Sequence, residues 1–317
     1  MQPKSAPLET ITLPPLADQP LVSILVPSYN QGKFIRDTID SILEQDYRPL
    51  KIHVIDGAST DETIDVLQSY GNIQELDWMS EPDKGVVDAV NKGFDLLRGD
   101  ICSIQSSDDM YLPGAIRAVV EQFHKAPDTG LIYGDTLKVD AQGNELLKYR
   151  IGPWSLKNLF LIKTWIPQPS AFFRREMLDA CGGWDERIPY APDTDLWIRM
   201  AFRTEVQKID RFLSRRRMHD AQRDTQGAKI VRDYCQMIDQ SRDIAASDPD
   251  LQSAAQAGKH LMKIRYNKTG SDWANGWNRL RAGWAHGEAT SVSDAIKYFL
   301  LPGRRVLSRI KQTTWGR

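Results

Sequence analysis

Between residues 21 and 110 short apolar runs alternate with amphipathic stretches, and each apolar run ends abruptly in polar residues. Leu21-Val22-Ser23-Ile24-Leu25-Val26 stops at Pro27-Ser28-Tyr29-Asn30, and Lys51-Ile52-His53-Val54-Ile55 stops at Asp56-Gly57-Ala58-Ser59-Thr60-Asp61. Leu76-Asp77-Trp78-Met79 precedes the loop Glu81-Pro82-Asp83-Lys84-Gly85, and Ile101-Cys102-Ser103-Ile104 leads to Ser107-Asp108-Asp109. Short apolar runs rich in β-branched residues read as buried strands. The stretches between them place Phe34, Ile35, Thr38, Ile39, Ile42 and Leu43, and later Val87, Val90, Phe94 and Leu97, on helical faces. Strand–helix alternation predicts an α/β fold whose sheet is mostly parallel and doubly wound. In such sheets ligands bind beyond the carboxyl ends of the strands. All the polar loops named above fall at those ends.

The last of these strands carries the strongest chemical signal. Adjacent side chains on extended backbone point opposite ways, so one of Asp108 and Asp109 faces a ligand's hydroxyls while the other faces a cation. Two carboxylates at the end of an interior strand cost folding energy unless something pairs with them. Mg²⁺ or Mn²⁺ carrying a diphosphate suits, because these ions take hard oxygen ligands and keep substrate phosphates in their shell. A plain strand-end turn is the competing reading, since Asp is common in turns. Ser59 and Glu62 have capping-box spacing for a helix beginning there. Asp88 and Asn91 share a stripe of the next helix, away from its buried face.

After residue 110 the alternation loosens. Leu131–Asp135 and Leu137–Val139, with turn chemistry at Ala141-Gln142-Gly143-Asn144, predict a smaller antiparallel part. Gln168-Pro169-Ser170, Gly182-Gly183-Trp184-Asp185 and Asp193-Thr194-Asp195-Leu196-Trp197 follow, the last as a helix start with acids in its first turn. Asp193 suits a helix N-cap as well as a chemical role. Residues 1–20 hold Pro3, Pro7, Pro14, Pro15 and Pro20 and read as an extended arm. Residues 21–220 read as one domain, with a first half to 110 and a second half beyond, and 221–317 as a helical basic extension.

Charge separates that extension from the body. Residues 259–317 hold twelve Lys and Arg against three acids, a net of +9, which leaves −10 on residues 1–258. A whole-chain charge of −1 excludes a general nucleic-acid binder. Cys102, Cys181 and Cys235 are odd in number and without CxxC spacing, as for thiols in a reducing compartment. No apolar run reaches membrane-spanning length and no basic-then-apolar leader opens the chain, so the expectation is a cytoplasmic protein. Tyr298-Phe299-Leu300-Leu301 and the basic segment to Lys311 suit either peripheral contact with the inner face of a membrane or a helical pair packed on the acidic body.

Taken together, Pro27–Asn30, Asp56–Asp61, Glu81–Gly85 through Asp88 and Asn91-Lys92-Gly93, Ser107–Asp109, Gln168–Ser170 and Asp193–Trp197 resemble an inverting family 2 glycosyltransferase of the glycosyltransferase A fold, over roughly residues 20–220. The resemblance implies a sugar moved from a nucleotide-diphosphate donor to a hydroxyl of a saccharide or lipid-linked acceptor, in polysaccharide synthesis. It implies Pro27, Tyr29, Asn30 and Ser59 around the nucleotide, with Tyr29 against the base and Asp56 accepting from its imide N–H, which favours UDP- or dTDP-sugars. Asp83, Asp88, Asn91 and Asp108 would shape the ribose and sugar side, Asp109 and His219 would hold Mg²⁺ or Mn²⁺, and Asp193 would be the catalytic base. Trp165, Gln168, Trp184 and Asp185 would lie towards the acceptor, while Trp197 reads as core. Pro192 stands where the family carries the first member of an acidic pair. A non-catalytic nucleotide-sugar binder is therefore one alternative. A sugar nucleotidyltransferase is another, opposed by the absence of a Gly-rich phosphate loop after the first strand; no GxGxxG or Walker A sequence occurs there.

Overall fold

The computed structural model describes residues 9–219, 226–241, 248–266 and 272–285. Strands β1 (Val22–Ser28), β2 (Leu50–Asp56), β3 (Leu76–Ser80) and β4 (Ile101–Ile104) alternate with helices α1 (Ile35–Leu43), α2 (Thr63–Ser69) and α3 (Val86–Phe94). The strands pair in parallel in the order β3-β2-β1-β4, as expected from the alternation. Their register puts Ser28 beside Asp56 and Asp56 beside Ser80, so the last rung of the ladder is wholly polar.

Next come β5 (Met110–Tyr111), α4 (Ala115–Lys125), β6 (Thr129–Val139) and β7 (Glu145–Tyr149). Beyond them lie α5 (Leu156–Phe160), β8 (Ala171–Arg174), α6 (Arg175–Cys181), α7 (Pro192–Ala201) and β9 (Glu205–Arg217). The sheet continues past β4 as β8-β6-β9-β5, with β7 paired to β6. This half is mixed: β8 runs antiparallel to β4 and β6, and β9 runs parallel to β6. The hairpin predicted at Ala141–Asn144 is present, although β6 runs unbroken through Gly134 and Asp135.

Side-chain alternation assigns the two faces of the sheet. Val22, Ile24 and Val26 share a core with Ile35, Ile39 and Ile42 of α1, Leu67 of α2, and Ile116, Val119 and Phe123 of α4. Leu25 points to the opposite face, where α3 packs on β1, and a Cβ at Gly93 would overlap its methyl groups. Helices therefore cover both faces of the parallel half. Trp197 of α7 is buried, with its ring 5.8 Å from that of Phe173, so it is core as expected.

The contacts divide the described chain into two compact units, one of residues 9–151 and 166–219, the other of residues 152–165 with the helices after residue 222. The segment 152–165, read from the sequence as part of the second half, thus groups with the C-terminal helices. In that unit Ser155 caps α5 by accepting the Asn158 N–H at 3.0 Å. Helices α8 (Gly227–Ser241), α9 (Pro249–Tyr266) and α10 (Asp272–Ala285) complete it. Gly258 lets α9 close on the Phe160 carbonyl, which also accepts the Tyr234 hydroxyl at 2.7 Å. Among the described residues no helix is long and apolar enough to cross a membrane. The tail segment 295–311 lies outside the described residues.

Candidate active site

The polar loops at the carboxyl edge of the parallel strands are stitched to one another. Gly57 N–H donates to the Ser28 carbonyl at 2.9 Å. Asn30, at φ +52, donates its backbone N–H to Ser59 Oγ at 2.7 Å and accepts the Thr60 N–H on its side chain at 2.8 Å. Pro27 lies within β1, in register with Ile55. These bonds fix the loop that carries Tyr29, whose ring is 58% exposed and so open to a planar ligand.

Asp56 is the last residue of β2. It is fully buried, and its oxygens accept the Ser59 N–H at 2.9 Å, the Ser59 hydroxyl at 2.5 Å and the Ser80 hydroxyl at 2.7 Å. These are three donors on a group that accepts at about four sites. Ser59 is accounted for by the same bonds. The capping box is also absent: α2 begins at Thr63, Glu62 makes no side-chain cap bond, and Asp61 accepts the Thr63 N–H at 3.0 Å instead.

The carboxylate that lies over this loop belongs to Asp83. Its Oδ1 accepts the Gly85 N–H at 2.7 Å, and its Oδ2 is 2.5 Å from where a Cβ on Gly57 would stand. A side chain at position 57 would have to displace the Asp83 carboxylate. Asp88 accepts the Lys84 N–H at 3.1 Å and pairs with Lys92 at 3.4 Å, and the backbone bond and Lys92 hold its carboxyl below the usual range. Asn91 meets the loop that follows α6. Its amide donates to the Trp184 carbonyl at 2.9 Å and accepts the Trp184 N–H at 2.8 Å, so both ends serve to hold the Gly183–Asp185 loop. Trp184 is buried, and Asp185 is engaged by the guanidinium of Arg187 at 2.7 Å.

Asp108 stands in the turn that follows β4, and Asp109 immediately precedes β5. Asp109 is buried, and its Oδ1 accepts the Arg217 N–H at 2.8 Å. Burial, with the charge of Asp108 beside it, pushes its carboxyl well above the usual carboxylate range. Asp108 is the residue that meets His219, its Oδ2 lying 2.9 Å from Nε2. A hard oxygen and an imidazole nitrogen so disposed are suited to a divalent ion. No cluster of three or more His, Cys, Asp or Glu fit to hold a metal occurs among the described residues, so the pair would need ligand oxygens to complete a shell.

Gln168 braces the same loop, accepting the Ser106 hydroxyl at 2.8 Å while its amide nitrogen donates to the Ile104 carbonyl. Both ends of its side chain therefore serve the strand that leads to Asp108. Asp193 is not an N-cap: Ala191 holds that position, Pro192 is the first helical residue, and Asp193 sits half-buried in the first turn of α7. Trp165 belongs to the helical unit. Two residues central to the site went unread in the sequence. Arg217 is fully buried beneath Asp108, and Phe34, expected in the core of α1, instead precedes that helix with its ring 4.9 Å from the His219 ring. Arg217 is the third arginine of a run, and a single sequence does not mark which of them turns inward; only its place two residues before His219 hinted at it.

Comparisons with known proteins bear on the family and the fold. Residues 23–180 match the model of glycosyl transferase family 2. An uncharacterized glycosyltransferase of Rickettsia typhi is 27% identical over 68% of the chain and 69% of its own length. A chondroitin synthase of Escherichia coli is 28% identical over 63% of the chain, which spans only 29% of that larger protein. Among solved structures, S. aureus TarS 1–349 in complex with UDP-GlcNAc superposes with a TM-score of 0.63 over 93% of both chains at 13% identity. The mannosyltransferase PcManGT from Pyrobaculum calidifontis, in complex with GDP-Man and Mn²⁺, gives 0.56 over 96% of this chain and 90% of its own at 17% identity. With its motif-bearing loops gathered at one sheet edge and residues 23–180 matched to the family model, the chain belongs to glycosyl transferase family 2 and has the glycosyltransferase A fold.

Proposed function

We propose that the protein transfers a sugar from a nucleoside-diphosphate donor to an acceptor hydroxyl with inversion at the anomeric carbon. The observation that carries this reading is the pairing of Asp108 Oδ2 with His219 Nε2 at 2.9 Å, on the edge where Tyr29 exposes its ring. Tyr29 stacks on the base. Asp56, at the end of β2, accepts from the base's imide N–H, which favours UDP- or dTDP-sugars, and Asp83, standing over Gly57, shapes the ribose side. Asp108 and His219 would hold Mg²⁺ or Mn²⁺, with oxygens of the donor needed to complete its shell. Such an ion, when bound, offsets the charge that grows on the leaving diphosphate. Asp193 takes the proton from the acceptor hydroxyl as that oxygen attacks, and the absence of an acidic neighbour at Pro192 leaves it a weaker base. The acceptor is a saccharide or a lipid-linked saccharide, and the setting is cell-surface polysaccharide synthesis at the cytoplasmic face of a membrane. The related chondroitin synthase supports a polysaccharide role, and the GDP-Man and Mn²⁺ complex of PcManGT supports divalent-metal use in this fold.

The test is donor hydrolysis across a panel of UDP-, dTDP- and GDP-sugars, with Mn²⁺ and with EDTA. Mn²⁺-dependent release of UDP or dTDP is expected. Turnover that persists unchanged in EDTA, or turnover of GDP-sugars alone, would contradict the reading.

A further inference from the structure

Three separate parts of the chain meet around one buried guanidinium. Arg217, at the end of β9, is 2% exposed. Its backbone N–H donates to Asp109 Oδ1 at 2.8 Å, and its Nε donates to the Asp108 carbonyl at 3.0 Å. Its Nη1 donates to the Ala141 carbonyl at 2.6 Å and its Nη2 to Asp37 Oδ2 at 2.7 Å. The guanidinium carbon lies 4.9 Å from the centroid of the Phe34 ring, and the same ring lies 4.9 Å from that of His219. Phe34 therefore contacts both Arg217 and His219, and both Asp108 and Asp109 are bonded to Arg217.

We infer that Arg217 is a positioning residue: it sets the separation and orientation of Asp108 and His219 and so pre-forms their two-ligand pair for a divalent cation. The inference rests on the proposed function of that pair. Arg217 is buried beneath the pair and fully engaged with protein groups, so its part is to hold the pair in place. Its charge also stabilises the backbone carbonyl of Asp108, whose side chain is then held towards His219. The hydrogen bond to Asp37 extends the same hold to α1, the helix that follows the Tyr29 loop. The geometry demands arginine. A planar fork can donate in three directions while lying against an aromatic ring, whereas the ammonium of lysine is a compact point charge that cannot do both. Outer-sphere partners that orient metal ligands typically control affinity by about 10–100-fold.

The experiment measures UDP affinity by calorimetry with EDTA and with saturating Mn²⁺, and Mn²⁺ affinity by electron paramagnetic resonance at fixed UDP, for wild type and Arg217→Lys. The inference predicts that Arg217→Lys binds UDP in EDTA within about 2-fold of wild type, because the Tyr29 loop is untouched, but binds Mn²⁺ at least about 10-fold more weakly. A purely structural arginine would instead lower the melting temperature and weaken UDP equally with and without metal. Equal Mn²⁺ affinity in a folded Arg217→Lys overturns the inference while leaving the proposed function standing. Wild type that shows no Mn²⁺-linked UDP binding overturns the metal reading of Asp108 and His219, and the inference with it. Should Arg217→Lys not fold, Asp37→Ala replaces it, since it removes the acceptor of Nη2 and the Asp37 side chain is 53% exposed, so its exchange spares the core. A loss of Mn²⁺ affinity of about 3-fold or more, with metal-free UDP binding unchanged, supports the positioning role, and no loss overturns it.

Discussion

At the scale of single residues, the site turns on which carboxylates face outward. The sequence makes Asp56, Asp83, Asp88, Asp108, Asp109 and Asp193 look alike, since each stands in a polar loop or at a helix start. The structure separates them by their donors. Asp56 accepts from Ser59 and Ser80, and Asp109 is turned inward to Arg217, while Asp108 meets His219. Asp108 and Asp109 stand in the turn between β4 and β5, and which one turned inward depended on the partner strand β9, more than a hundred residues away. Asp193 has a simpler test. Asp193→Asn keeps size and hydrogen bonding but removes basicity, so turnover should fall by about 10²–10⁴ while donor affinity stays nearly constant. Steady-state kinetics with a saturating acceptor, beside calorimetric donor binding, measures both. A mutant with normal turnover would remove Asp193 from the role of base.

At the scale of elements, much was legible because burial dictates it. An apolar strand that stops at Pro, Asp or Ser announces its own carboxyl end, and the parallel order β3-β2-β1-β4 then gathers those ends on one edge. The second half was less legible, since its strands pair across long separations and its bends leave no periodic trace. Opposite Gly134 of β6, β9 bulges: Tyr133 pairs with Lys208 and Asp135 with Phe212. The bulge presses the Arg211 carbonyl to within 2.6 Å of where a Cβ on Gly134 would stand. Gly134→Ala must therefore push β6 and β9 apart, at a cost of about 1–3 kcal/mol, the usual range for overpacking. Urea denaturation gives the difference directly. Because β9 ends at Arg217, the same variant should also weaken Mn²⁺-linked UDP binding, and a stable variant with unaltered binding would show that the bulge does not hold the site.

At the scale of the whole molecule, charge is spread unevenly along the chain. The segment after residue 258 carries +9 against −10 on the rest, and α10 exposes Trp277 and Trp284. Aromatic and basic side chains together suit an anionic membrane surface, where each cation near the headgroups contributes about 1 kcal/mol. The proposed lipid-linked acceptor would be met there. Co-sedimentation with anionic and neutral vesicles should show salt-sensitive binding of the full chain to the anionic ones alone, and loss of that binding on truncation near Ser291. Equal, negligible binding by both would argue for a tail packed on the protein. That residues 152–165 leave the sheet unit for the helical one was not legible, because an insertion of that length carries no compositional break at either end.

The most direct test of the site compares Asp108→Asn with Asp109→Asn, reading the gain in UDP affinity that Mn²⁺ confers. Asp109→Asn keeps an acceptor for the Arg217 N–H and should retain most of that gain. Asp108→Asn should abolish it while leaving metal-free UDP binding intact. The reverse ranking, with Asp109→Asn losing the metal effect and Asp108→Asn keeping it, would contradict the assignment of Asp108 and His219 as the cation-holding pair.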